Sequence, residues 1–351
     1  MLYQLSYTPR PECAPSPIVE GEQGGITACA LGADCYAQLC MMPAAASTAA
    51  PQNYLGGIAL RLLAMASLSL MFVVVKYVDR AGIHILESLF WRQALVLPFL
   101  LMWVQATGGF ASLRTDRIGA HTRRMLMGLA GMACNFGAMI LLPMAEATTI
   151  SLSVPIFAVI FAALLLGEAT GWQRWSAVII GFVGVLVVLA PWASFSGGFG
   201  GDHGIGTLVA LAGAIMTALI TIAVRDLGRT ENAATIVFWF SLLSMVPLGL
   251  VLPFVITPHD GTEWLLLIAL GVLGAIVQMS LTGALRLAPV SVVIPMDYTS
   301  LLWAIMAGWW FFGTLPADTT WVGAPLIVAS GLFIAWREHR RHINRPKEVA
   351  A

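Results

Sequence analysis

Ten long apolar runs limit what this chain can fold into more than any other feature of its sequence. A helix needs about 17–25 mainly apolar residues to cross ~30 Å of hydrocarbon, and backbone groups in lipid must be hydrogen-bonded within the segment. Only 10% of the residues are charged, whereas a soluble domain has about 25%. We therefore predict an all-α integral membrane protein with ten transmembrane helices. The predicted spans are Leu62–Val78, Ile83–Ala106, Met125–Leu142, Ala147–Leu166, Trp175–Ala190, Ile205–Val224, Ala233–Ile256, Trp264–Leu285, Pro289–Phe312 and Trp321–Trp336.

The positive residues predict which side of the lipid bilayer each loop faces. With the N-terminus inside, the inner loops and the C-terminal tail hold thirteen Arg and Lys residues. The outer loops clearly hold only Arg80, with Lys76 at the outer end of the first span. Both termini are therefore expected in the cytoplasm, and the protein in the cell (inner) membrane.

Residues 1–54 differ in composition from the rest of the chain. They are rich in Ala, Pro and Gly and contain four of the five cysteines. The cysteine spacings match no paired Cys-x-x-Cys metal pattern, and the stretch before Cys29 has no hydrophobic signal core. We expect a disordered N-terminal extension, with Met41 and Met42 as alternative starts of translation.

The membrane region contains an internal repeat. The stretches "GLAGMACNFGAMILLPMAE" and "GVLGAIVQMSLTGALRLAP" begin 143 residues apart, an offset that aligns Asn135 with Gln278 and Pro155 with Tyr298. Each copy holds five spans, an odd number, so the predicted fold is ten helices as two inverted five-helix repeats. Such repeats are typical of secondary transporters, whose sites lie near the midplane between the repeats. The predicted boundaries are 55–191 for the first repeat, 192–203 for an external glycine-rich linker, 204–337 for the second repeat and 338–351 for a basic cytoplasmic tail.

Two ionisable residues are predicted near the centre of the bilayer. At ~1.5 Å per residue, Arg92 lies roughly 14 Å from the outer end of its span and Asp297 roughly 12–14 Å from the inner end of its own. A charge at that depth costs ~2.5–3.5 kcal/mol, so it usually has a partner or a water-filled surface. We predict that Arg92 and Asp297 face a shared central cavity, either paired or on two sides of a substrate. In the alternative reading, Arg92 only holds a helix contact and Asp297 snorkels inward.

Other polar residues extend this candidate site. Asn135 and Gln278 are candidates either for hydrogen bonds to substrate or for joining helices. Pro155 and Pro295 predict helix discontinuities that leave carbonyls free for a ligand, or simple kinks.

Aromatic residues and one charged pair complete the candidates. Tyr298 is suited to stacking against a planar or cationic group. Three deep tryptophans have the same possible role, with packing as the alternative: Trp91, Trp239 and Trp303. Lys76 and Glu87 are predicted to form a structural ion pair between the outer ends of the first two spans.

These features favour a secondary carrier of a small organic metabolite, driven by a substrate gradient, exchange or protons. Asp297 and Glu87 are the candidate proton carriers. The sequence has no Walker phosphate loop and no H-E-x-x-H, and its six histidines fall in loops, the tail or span edges. We therefore expect no enzyme activity, cofactor, metal or nucleic-acid partner, and leave a homodimer open. The alternatives are a non-transporting membrane interaction protein or an intramembrane enzyme.

Two stretches resemble the EamA-type members of the drug/metabolite transporter superfamily. "TTISLSVPIFAVIFAALLLGEATGWQRWSAVIIGFVGVLVVLAP" is similar to the end of a first EamA repeat, and "VIPMDYTSLLWAIMAGWWFFG" to the closing pattern of the second. The resemblance covers about residues 55–340 and implies ten helices.

Within that family, the stretch Trp172–Trp175 is similar to S-adenosylmethionine uptake carriers, while related carriers move amino acids, riboflavin and other metabolites. This chain has Gly313-Thr314 where the family often has Gly-Glu, which puts in doubt a role for a glutamate at that end. Tyr298 belongs to the family pattern and Asp297 does not.

Overall fold

A computed structural model describes residues 53–107, 109–166, 171–189, 202–288 and 290–344. These residues are helical with short connections and without β-strands, which confirms the all-α prediction. The helices are α1 Tyr54–Arg80, α2 Ile85–Thr107, α3 Ile118–Leu141, α4 Met144–Ser151, α5 Val154–Leu166, α6 Trp172–Leu189, α7 Asp202–Leu227, α8 Ala233–Val255, α9 Gly261–Leu287, α10 Val290–Val293, α11 Thr299–Phe312 and α12 Asp318–Asn344. Two 3₁₀ turns, Phe110–Leu113 and Ile294–Tyr298, lie between them.

Over the described residues these helices make ten segments, because α4 continues into α5 and α10 continues through a 3₁₀ turn into α11. Each predicted span coincides with one segment. Eight segments are long and apolar enough to cross a membrane, while α6 is shorter and the α10–α11 segment is interrupted. The chain is therefore an integral membrane protein.

The helix bounds differ from the predicted spans at several ends. The helix α1 begins at Tyr54 rather than Leu62, and α3 at Ile118 rather than Met125. The helix α12 continues past residue 337, the predicted end of the second repeat, to Asn344. Residues 1–52 of the predicted N-terminal extension and most of the glycine-rich linker lie outside the described residues.

The bundle has two faces, which we name after one residue in each. The Gly82 face contains the turn 81–84 and the loop 256–260, which a contact between Glu87 and His259 brings together. The Thr115 face contains the loops 109–117 and 228–232, joined by a hydrogen bond of 2.6 Å from Thr115 to Glu231.

Helices that are distant in sequence pack along one another. The helix α1 packs along α9, α3 along α7, α2 along α8, and α6 along α12. Glycine makes the α6–α12 contact close, since a Cβ on Gly184 would lie 2.9 Å from the carbonyl oxygen of Gly323. Ser330 of α12 donates a hydrogen bond of 2.6 Å to the carbonyl of Ala177 in α6. Small residues that bring backbones together are the usual means of joining helices in lipid.

Two segments are broken where the sequence places prolines. The α4–α5 segment is interrupted at Leu152 and Ser153, and Pro155 is the second residue of α5, where its missing N–H leaves no helical bond unmade. Pro295 lies in the 3₁₀ turn between α10 and α11. The Ser153 hydroxyl donates to the carbonyl of Ile150 at 2.6 Å, which satisfies one of the groups that the first break exposes.

Replacing Gly184 by leucine is expected to destabilise the bundle by about 1–3 kcal/mol, the usual cost of overpacking, because α6 and α12 then have to separate. Thermal unfolding of the purified protein in detergent measures the change. Gly119→Ala is the matched control, since a Cβ there meets no heavy atom of the described residues within 4 Å and alanine favours the helix. An unchanged melting temperature for Gly184→Leu would contradict the close packing of α6 on α12.

Candidate functional site

An ion pair between α1 and the 3₁₀ turn lies inside the bundle. Arg61 donates from Nε to Asp297 Oδ1 at 2.5 Å and from Nη2 to Oδ2 at 2.6 Å. The side chains are 10% and 29% exposed, so the guanidinium is the more deeply buried partner. Two parallel bonds from a guanidinium to a carboxylate are the strongest and most directional arrangement of these groups.

The broken helix explains how Asp297 reaches this position. Pro295 stands at the start of the 3₁₀ turn, and Thr299 closes it with a hydrogen bond of 2.6 Å from its hydroxyl to the carbonyl of Met296. The next residue, Tyr298, places its phenol against Gly331 of α12, where no Cβ would fit. The turn thus directs two consecutive polar side chains to different helices, the carboxylate to α1 and the phenol to α12.

Of the two predicted arrangements of Arg92 and Asp297, direct pairing is not found in the structure. Arg92 donates from Nη1 to Gln93 Oε1 at 2.9 Å and contacts Met132 Sδ at 3.0 Å, while its stem lies beside Gly274 of α9. The reason is geometric, since Asp297 already has Arg61 as its partner. Arg61 lies one residue before the predicted first span, so its side chain was not counted among the charges inside the membrane.

Arg92 and Gln93 form a second polar group, bounded by α2, α3 and α9. Within the described residues, Arg92 Nε and Gln93 Nε2 are buried without a hydrogen-bond partner. Buried donors without partners are uncommon and often mark a place for a ligand or water. The hypothesis that Arg92 lies on one side of a substrate therefore stays a prediction.

The amide residues that the repeat aligns have different surroundings. Asn135 Nδ2 donates to Thr217 Oγ1 at 3.4 Å, so Asn135 joins α3 to α7. The backbone carbonyl of Gln278 accepts from Thr282 Oγ1 at 2.8 Å. In the described part of the chain the Gln278 amide group has no hydrogen-bond partner and is partly exposed.

The three tryptophans are not gathered at one site. Trp239 donates from Nε1 to the carbonyl of Leu113 at 2.9 Å, which anchors the 3₁₀ turn of the Thr115 face. Trp91 lies near the Gly82 face, with its ring 5.0 Å from that of Trp264. Trp303 is partly exposed on α11.

Lys76 and Glu87 do not pair with each other. Lys76 Nζ donates to the carbonyl of Leu142 at 2.8 Å and to that of Ile140 at 3.5 Å. These carbonyls lie at the C-terminal end of α3, where unpaired oxygens and the helix dipole attract a cation. Glu87 is bonded to His259 instead.

A cluster on the Gly82 face was not predicted. His259 Nε2 lies 2.6 Å from Glu87 Oε1, and His259 Nδ1 lies 3.2 Å from Glu263 Oε2. The side chains of Glu87 and His259 are 0% and 1% exposed. Burial lowers the pKa of His259, but the hydrogen bonds and charges of Glu87 and Glu263 outweigh it and raise the pKa above its ordinary value.

Asp297→Asn is expected to destabilise the protein more than Arg61→Gln, by about 1–3 kcal/mol against less than about 1 kcal/mol. Without Asp297 the buried guanidinium keeps an uncompensated charge, whereas the carboxylate of Asp297 without Arg61 is still partly exposed to solvent. Thermal unfolding of both variants in one detergent measures the order. The double variant Arg61→Met with Asp297→Leu should lose less stability than the two single losses added together, and an additive result would contradict the coupling.

The similarity of the chain to known proteins extends over the same region as the helices. The chain matches the EamA-like transporter family over residues 55–190 and again over 204–336. The riboflavin transporter of Vibrio cholerae is 30% identical over 262 residues, which are 74% of this chain and 85% of that protein. The S-adenosylmethionine uptake transporter of Rickettsia prowazekii is 28% identical over 82% of this chain and 95% of its own length.

Two further similar proteins are an exporter and a protein with a known crystal structure. The pseudopaline exporter of Pseudomonas aeruginosa is 26% identical over 78% of this chain and 94% of its own. A crystal structure that is 21% identical shares the fold with a TM-score of 0.55, over 85% of this chain and 98% of that chain. Since the family model matches twice and together covers well over half of the residues, the predicted resemblance is confirmed, and the chain belongs to the EamA-like transporter family.

Proposed function

We propose that this protein is a secondary transporter that moves a small organic metabolite across the inner membrane of the cell. Its family is one of transporters, and its relatives include proteins named for the transport of riboflavin, S-adenosylmethionine and pseudopaline. The candidate substrates are a compound like S-adenosylmethionine, an amino acid or a vitamin. Transport would proceed by alternating access between two inverted five-helix repeats.

The packing of the helices supports the two repeats. The proposed repeats pair α1 with α7, α2 with α8, α3 with α9, and α6 with α12. When the two members of each pair are exchanged, the α1–α9 contact becomes the α7–α3 contact, which is also present. The α2–α8 and α6–α12 contacts are unchanged by the exchange. The family model also matches once in each half. At the offset of 143, the break at Leu152 corresponds to Pro295 in the second break. Five segments per repeat, an odd number, would make the second repeat inverted.

The charges support an orientation with the Thr115 face in the cytoplasm. Arginine side chains are concentrated there, in the loop before α3, in the first turns of α3 and at the end of α7. Arg80 is the last residue of α1, at the Gly82 face, and the connections between helices at this face contain no Arg or Lys among the described residues. Positive residues are retained on the cytoplasmic side of membrane proteins.

The bidentate pair of Arg61 and Asp297 is the observation that carries the proposed binding site. Arg61 lies about 10 Å along α1 from its first residue at ~1.5 Å per residue, well inside the bundle. Asp297, the more exposed partner, is the group that an entering ligand reaches first. A cationic group on the metabolite would compete for Asp297 and a carboxylate for Arg61, and either would loosen α1 from the 3₁₀ turn. The free donors of Arg92 and Gln93 would bind acceptor atoms on another side of the ligand.

Asp297→Asn and Arg61→Lys are both expected to lower saturable uptake of the transported compound by about tenfold or more. A hydrogen bond to a charged group contributes ~1.5–3 kcal/mol, and lysine keeps the charge of Arg61 but not its two parallel bonds. Uptake of labelled S-adenosylmethionine and of labelled riboflavin by cells that express the protein measures the effect at equal membrane abundance.

Asp226→Asn is the matched control for this experiment. Asp226 also pairs with an arginine, Arg117 at 2.8 Å, but both side chains are exposed on the Thr115 face, and exposed pairs contribute little. Wild-type uptake by Asp297→Asn would remove the ion pair from the transport cycle. Absence of uptake of both compounds by a well-folded wild-type protein would exclude these two substrates and call for a wider metabolite screen.

A further inference from the structure

The cluster of Glu87, His259 and Glu263 joins three parts of the chain at the Gly82 face. Glu87 comes from the first turn of α2, His259 from the loop 256–260, and Glu263 from the first turn of α9. The ring of Trp264 packs edge to face against the imidazole of His259, with 5.4 Å between the ring centroids. The ring of Trp91 packs in the same way against Trp264, with 5.0 Å between their centroids. The two tryptophans therefore cover the cluster with apolar surface and strengthen the electrostatic interactions inside it.

The hydrogen bonds in the cluster require one proton more than a neutral histidine provides. Both ring nitrogens of His259 face carboxylate oxygens, at 2.6 Å and 3.2 Å. A neutral imidazole has one N–H and one acceptor nitrogen, so it can donate to only one of these carboxylates and repels the other. The imidazolium form donates to both. The second oxygen of Glu87 is buried without a hydrogen-bond partner among the described residues, so this carboxylate depends on His259 and on a 3.4 Å contact from Trp91.

Glu263, one of the two carboxylates that face His259, also caps the start of α9. Glu263 Oε2 accepts from the backbone N–H of Asp260 at 3.1 Å, and Asp260 Oδ1 accepts from the N–H of Glu263 at 2.8 Å. These two bonds form a capping box at the first turn of α9. The position of His259 is therefore fixed to α9 on one side and to α2, through Glu87, on the other.

We propose that Glu87, His259 and Glu263 form a proton-binding site that holds the ends of α2 and α9 together at the Gly82 face. With the proton bound, the imidazolium joins the two carboxylates and this face is closed. When the proton leaves, the unprotonated ring nitrogen repels the carboxylate that it faces, the buried Glu87 and the partly exposed Glu263 lose the positive charge between them, and the loop 256–260 separates from α2. The consequence for transport rests on the proposed function, whereas the proton site itself does not.

The sign of the pH dependence follows from the charged groups around His259. The charges that act on it are Glu87 from α2 and Glu263 from α9, both negative, while Asp260 of the same loop is directed to the start of α9. His84, the other histidine at this face, is exposed. Because the pKa of His259 is raised above 6.5 in the folded protein, the contact is fully formed below about pH 6.5 and is lost as the pH rises through the folded-state value.

Hydrogen exchange of the full-length protein in lipid nanodiscs tests this proposal without any substrate. The observed rates of residues 256–264 are divided by their intrinsic rates at each pH between 5.5 and 8.5. We expect the protection of this segment to fall by up to about tenfold per pH unit above pH 6.5, as one proton is released on opening. His259→Gln should have low protection at every pH, and His84→Gln should behave like the wild type.

A second variant keeps the test decisive where His259→Gln does not fold. Glu263→Gln retains the capping box, because glutamine serves as well as glutamate at that position, but removes one of the two charges that favour the imidazolium. Its protection should stop falling at a lower pH than that of the wild type and should fall by less in total, because only the folded-state pKa of His259 is lowered. Protection of residues 256–264 that does not change with pH in the wild type would overturn the proton site, and so would an unchanged pH dependence in Glu263→Gln.

Transport assays then separate this proposal from the proposed function. If uptake fails while the exchange of residues 256–264 still depends on pH through His259, the substrate assignment is wrong and the proton site stands. If uptake is observed but the segment shows no pH dependence, the carrier stands and the proton site is wrong.

Discussion

The bidentate ion pair between Arg61 and Asp297 is the interaction on which the proposed binding site depends. Gly57 precedes Arg61 by four residues, so both lie on one face of α1. At Gly57 the backbone of α1 meets Ala288, at the end of α9, so closely that a Cβ would not fit. One turn further along α1, this approach places Arg61 opposite the 3₁₀ turn that carries Asp297. The site therefore depends on Gly57, the broken helix and the charge of Arg61 together, and none of the three explains it alone.

The two faces of the bundle are closed by different chemistry. At the Gly82 face the contact between α2 and α9 passes through His259, whose two ring nitrogens face the carboxylates of Glu87 and Glu263 and form the proposed proton site. At the Thr115 face, Thr115 bonds Glu231 at 2.6 Å and Arg117 bonds Asp226 at 2.8 Å, and the latter pair is exposed to solvent. Alternating access needs contacts at both faces that can break without a large loss of stability. Exposed ion pairs and a proton-dependent cluster both satisfy that condition.

Sequence reasoning predicted those parts of the fold that depend on local properties. The length of each apolar run located the ten segments, and Pro155 and Pro295 lie at the two helix interruptions. It did not predict Arg61 as an intramembrane charge, because α1 begins at Tyr54 and polar residues at a helix start do not show in an apolar run. The partners of Glu87 were also missed. Glu87 and His259 are 172 residues apart, and helical periodicity does not specify which helix faces which.

The repeats themselves suggest why the ion pair is present. Gly206, at the start of α7, meets Leu141 and Leu142 at the end of α3, just as Gly57 of α1 meets the end of α9. One turn after Gly206 stands Ala210, fully buried in an apolar cluster with residues on both sides of the α4–α5 break, Ile150 and Ile156.

If α7 is the counterpart of α1, as we propose, the same junction between a helix and a broken segment is built twice. It is packed with apolar side chains in one half and joined by charges in the other. Apolar packing is at least as stabilising as a buried ion pair, and often more so. An apolar junction could therefore replace the pair of Arg61 and Asp297 without loss of stability, since the other half forms the junction in that way. The proposed role of the pair in binding accounts for the charges that the fold alone does not need.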